Sequence, residues 1–92
     1  MKEVSVKDGN RWVKLDVEYI KDILRRVYKA SGQKELGLGI ILAESYGDTR
    51  LKEDISFLKK LIQLEASGYV IPPLSFADLY LQVAEPNHRM GL

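Results

Sequence analysis

Residues Leu64–Pro86, "LEASGYVIPPLSFADLYLQVAEP", can be divided in two ways. In one, "GYVI" and "LYLQVAE" are strands joined by a turn at "PPLSFAD", with Leu79, Leu81 and Val83 pointing inward. In the other, Ser75 caps a helix that Pro86 stops. The helical reading has more local support. Leu74 and Leu79 occupy staple positions around the cap, and Asp78 closes a weak capping box. Phe76, Leu79, Tyr80 and Val83 fall at i, i+3, i+4 and i+7, the spacing of one helical face. Strands are supported only by simple alternation. A helix is therefore expected after residue 74, with paired strands after residue 68 as the alternative.

Upstream, "TRLKEDISFLKKLIQLEAS" predicts a long helix over about 49–67, capped by Asp48 or Thr49 and ended by Gly68. Leu51, Ile55, Leu58 and Ile62 form its apolar stripe, which Phe57, Leu61 and Leu64 widen. A stripe that wide implies two neighbours, or one neighbour and a partner chain. Residues 34–47 are ambiguous: Leu36, Ile40 and Ala43 are helically spaced, but Gly37 and Gly39 each cost about 1 kcal/mol in a helix. A short helix is expected there, and a buried strand over Leu38–Leu42 stays open. A helix over about 16–31 is capped by Asp16, buries Val17, Ile20, Ile23, Leu24 and Val27, and stops at Gly32.

The start of the chain, "EVSVKDGNRWVKL" at 3–15, reads as a β-hairpin around "DG". A two-residue loop at Asp8-Gly9 sets Val4 against Val13 and sends Trp12 to the other face. A three-residue loop through Asn10 sets Val6 against Trp12. The expected fold is α+β and mostly α: one domain over 1–92, with a hairpin at 3–15, a helical body of three or four helices at 16–86, and a flexible tail at 87–92.

Composition narrows the function classes. Apolar residues make up 46 % of the chain and charged residues 29 %, a balance typical of a soluble globular domain. With no cysteine there are no disulfides, thiolate metal sites or cysteine nucleophiles. No apolar run is long enough to span a membrane and no apolar signal region opens the chain, so a cytoplasmic location is expected. Net charge is +1, yet residues 1–34 carry nine Lys/Arg against five Asp/Glu, while residues 35–92 carry five against eight. Such a dipole can steer an acidic partner or pair with a second copy. Catalysis has little support. The single histidine, His88, sits in the polar tail, and Glu44 and Asp48 are separated by Gly47. "GLG" at 37–39 lacks the rest of a phosphate-binding loop. No enzyme activity, cofactor or metal is expected.

The segment "ILAESYGDTRLKEDISFLKKLIQLEASGYV", residues 41–70, resembles the helix-turn-helix and following strand of winged-helix DNA-binding proteins. "LAE", a turn glycine, a long helix ending in Gly and an apolar pair recur there at similar spacing. The resemblance implies that 49–67 is a recognition helix, with Arg50, Lys52, Ser56, Lys59, Lys60 and Gln63 facing nucleic acid. The lysines would meet phosphates, and Ser56 and Gln63 would reach base edges. The competing expectation is a protein-interaction or assembly subunit acting as a homodimer. It would use apolar residues beyond what a small core needs: Trp12, Phe57, Leu64, Phe76 and Tyr80.

Overall fold

The computed structural model describes residues 2–84. Strands β1 (Glu3–Asp8) and β2 (Arg11–Asp16) form the hairpin, and helices α1 (Val17–Ser31), α2 (Leu36–Ser45) and α3 (Thr49–Ala66) follow. A two-residue strand, β3 (Val70–Ile71), then precedes the last helix, α4 (Phe76–Ala84). The fold is α+β and mostly α, with four helices among the described residues. The expected stop at Pro86, the tail at 87–92 and His88 lie outside the described residues.

The hairpin takes a third register that neither expected loop provides. The loop is Gly9-Asn10, so Val4 faces Leu15, Val6 faces Val13, and Trp12 stands opposite Lys7. Gly9 has φ +67°, while among the described residues no non-glycine residue has positive φ. Glycine first and a negative φ second is the pattern of a type II′ turn, whose twist matches that of paired strands. Parity decides the faces: Val4 and Val6 are buried, and Trp12 is turned outward and half exposed.

Asp16 ends β2 and caps α1 by accepting a hydrogen bond from the Glu18 amide at 3.0 Å. Ile20, Ile23, Leu24 and Val27 of α1 are fully enclosed, which makes α1 the central helix. Residues 34–47 do contain a helix, despite their glycines. The Glu35 carboxylate caps α2 by accepting from the Leu38 amide at 2.8 Å. Gly39 has a packing reason: a Cβ there would lie 2.6 Å from Tyr80 Oη. α2 and α4 can therefore approach closely only at a residue without a side chain.

Asp48, not Thr49, caps α3, accepting from the Arg50 amide at 2.9 Å. At the other end, the Tyr69 amide donates to the Leu64 carbonyl at 2.8 Å and the Gly68 amide to Glu65 at 3.0 Å. With Gly68 at φ +79°, these bonds make a Schellman ending. The chain then runs into β3, which lies antiparallel to the other side of β1, with Val70 against Val6 and Ile71 against Ser5. The sheet order is β2-β1-β3.

Over its described residues, 64–84, the stretch thus contains one very short strand and then a helix, not a strand pair. Ser75 Oγ accepts from the Asp78 amide at 3.2 Å, and the Glu65 carboxylate accepts from the Phe76 amide at 3.1 Å. α4 buries Phe76, Leu79, Tyr80 and Ala84. Phe76 and Tyr80 are fully enclosed, so the expectation that they meet a partner is corrected. Large rings on the inward side of a short helix fill the core that the helix closes.

Candidate nucleic-acid interface

α2 and α3 are joined by three residues, Tyr46-Gly47-Asp48. Gly47 makes the bend with φ +67° and donates its amide to the Glu44 carbonyl at 3.1 Å. Two helices joined by a three-residue turn containing glycine have the connection length of a helix-turn-helix. Leu51, Ile55, Leu58 and Leu61 turn α3 toward the core. The opposite side of α3 therefore faces solvent.

Lys52, Ser56, Lys59 and Gln63 form that outward row and are all exposed, with Lys60 flanking it. Arg50 does not join them. Its largely exposed side chain folds back onto Asp48 at the start of α3, where the two contribute to a depression also lined by Arg26, Lys29, Ala30 and Leu51. Its guanidinium holds the Asp48 carboxylate at 3.2 Å. The hydrogen bonds from Arg50 keep the Asp48 carboxyl below the usual carboxylate range, and the same pairing raises Arg50. A second depression lies between α2 and α3, with Lys52 in its lining beside Ala43, Glu44 and Gly47.

The lysines of the row differ in their surroundings. Lys59 Nζ is 2.6 Å from a Glu44 carboxylate oxygen, and Lys60 Nζ is 3.0 Å from that of Asp8. Among the described residues, Lys52 has no ion-pair partner. The Lys60–Asp8 pair also brings the hairpin tip and α3 into contact at their exposed sides. Glu53 is exposed on the same helix, so the surface is mixed in charge.

Of the residues expected to bind a partner, Phe57 and Leu64 are partly buried against the core, and Tyr19 lies 6.1 Å from Phe57, ring to ring. Trp12 alone of the five is exposed. Leu38 and Ile41 on the outward side of α2 and Tyr69 beside β3 are exposed and carried no signal that was read in the sequence. Ile71, in the extended segment "VIPPL" that could present Val70 and Ile71 to a partner, is exposed too, whereas Val70 is buried. A run as apolar as "LGLGIILA" on a surface helix was the available signal.

Comparison with protein-family models, with curated proteins and with solved structures gives no match. Among the described residues, no helix is long and apolar enough to cross a membrane.

Proposed function

We propose that the chain is a small nucleic-acid-binding regulator that contacts duplex DNA through the outward face of α3. The observation that carries this reading is the α2–turn–α3 unit, whose second helix presents Lys52, Ser56, Lys59 and Gln63 in one solvent-facing row. The Lys59–Glu44 and Lys60–Asp8 pairs are exposed. Exposed pairs of this kind contribute about 0–1 kcal/mol, so a phosphate can take the carboxylate's place at little cost. Gln63 and Ser56 carry the hydrogen-bonding groups that read base edges. The hairpin tip at Asp8–Arg11, which the Lys60–Asp8 pair brings beside α3, supplies a flanking contact.

The test is duplex binding by fluorescence anisotropy across a salt series. Alanine at Lys52, Lys59 and Lys60 is preferable to glutamate, because a carboxylate at 59 or 60 would face Glu44 or Asp8. For every phosphate that a lysine no longer neutralises, the log–log salt slope should flatten by about 0.9. A triple variant that binds duplex like the parent, with an unchanged slope, refutes the reading.

A second reading, an assembly subunit acting as a homodimer, is favoured by the exposed Leu38 and Ile41 on α2, an apolar pair with no cover in the single chain. It requires a sedimentation mass above the 10.5 kDa of one chain at micromolar concentration. It also requires that Ile41→Glu return the protein to monomer.

A further inference from the structure

We propose a second binding surface, separate from α3: the outer face of the sheet binds single-stranded nucleic acid, with Trp12 and Tyr69 stacking on bases and Lys7 and Lys14 holding phosphates. Side chains opposite one another on paired strands share a face, so the register defines the rows of this surface. Lys7 faces Trp12 across β1–β2, and its amide donates to the Tyr69 carbonyl at 2.9 Å on the other side. The first row is therefore Trp12–Lys7–Tyr69. The second is Lys14–Ser5–Ile71.

Three side chains of these rows are large, apolar and open to solvent: Trp12 is 50 % exposed, Tyr69 44 % and Ile71 52 %. None is needed by the core, which Val4, Val6 and Val70 meet from the other side of the same strands. The only charged groups in the two rows are lysines. The carboxylates of this face, Glu3 and Asp16, stand opposite each other at the far end of the hairpin. Lys7 Nζ sits 5.5 Å from the Tyr69 ring centroid, a cation held beside an aromatic face.

The occupant that matches rings interleaved with cations is an anion carrying flat rings. Bases in a duplex are stacked on each other and cannot lie on protein rings, whereas unpaired bases can. Adjacent strands are about 4.8 Å apart, so Trp12 and Tyr69 stand roughly 10 Å from each other with Lys7 between them. That span accommodates about two to three splayed nucleotides, the number that aromatic sheet platforms commonly hold.

Trp12 is the only tryptophan in the chain, so its emission reports on this face alone. The experiment titrates the full chain with a short oligothymidylate and follows that emission. The expected result is saturable quenching that weakens with added salt. Affinity should fall about tenfold in Tyr69→Ala, and Lys7→Gln and Lys14→Gln should each flatten the salt slope. Trp12→Phe, which keeps a stacking ring, should retain most of the binding measured by anisotropy. Trp12→Ala should weaken it about tenfold, with circular dichroism verifying the fold of each variant. Alanine at Lys52 and Lys59 should leave oligothymidylate binding unchanged, which separates this surface from the α3 reading. The proposal is overturned if the oligonucleotide does not bind or binds without altering Trp12 emission. It is equally overturned if emission follows protein concentration instead, which would mark the face as an interface between copies.

Discussion

Tyr80 joins three parts of the molecule through one side chain. Its hydroxyl donates to the Gln33 carbonyl and lies 3.4 Å from Ser31 Oγ, its ring meets Tyr28 edge-on, and Gly39 leaves it room. Removing the hydroxyl in Tyr80→Phe leaves the Gln33 carbonyl without that donor and should cost about 1 kcal/mol by denaturant unfolding. Burial pushes the Tyr80 phenol above the ordinary tyrosine value. A raised folded-state value means the neutral phenol is the form the fold prefers. That stabilisation is complete below the unfolded value of about 10 and is lost as pH rises through the folded value. Between neutral and strongly alkaline pH, the parent should therefore lose more thermal stability than Tyr80→Phe. Equal losses would show that the phenol does not titrate against the fold. The spacing of Tyr80 with Phe76 and Leu79 marked it as inward-facing on its helix, but its bond to residue 33 has no signature in sequence.

Among the elements, those with both caps and a stripe were legible and the others were not. α1, α3 and α4 announce themselves through Asp16, Asp48 and Ser75 and through one-sided apolar spacing; α1 and α3 form within a residue or two of the expected bounds, and α4 begins where its cap predicts. The hairpin was located, but its register was not, because "DGN" offers several two- and three-residue loops that suit a hairpin, and the observed Gly9-Asn10 loop is the one that sets Val4 against Leu15 and Val6 against Val13. β3 has two residues, too few for any period, and its partner lies more than sixty residues upstream. α2 was obscured by its glycines, and they respond differently to substitution. In Gly39→Ala the new Cβ meets a buried ring and should destabilise the protein by about 1–2 kcal/mol, even after the helical preference of alanine is counted. In Gly37→Ala it meets only the flexible end of Glu35, at 3.2 Å. That variant should be no less stable than the parent in the same chemical denaturation. Equal losses in the two variants would contradict the close approach of α4 to α2.

For the molecule as a whole, charge placement was the least legible property. The lysine-rich face of α3 reads as basic in sequence, yet folding brings Asp8 to Lys60 from fifty-two positions away and Glu44 to Lys59 across the turn. The result is a mixed surface, and under the proposed duplex-binding function it predicts modest, salt-sensitive affinity rather than the tight binding of a strongly basic domain. The same folding step assembles Trp12, Lys7 and Tyr69 into one row, which the separate strands could not foreshadow. If α3 and the hairpin tip form the duplex-binding side, amide chemical-shift mapping of the labelled chain against a duplex tests it most directly. Shifts are then expected to cluster at Lys52–Gln63 and around Gly9–Arg11 and to fade as salt is added. Shifts confined to Leu38 and Ile41 on α2, or none at any duplex concentration, would contradict that assignment.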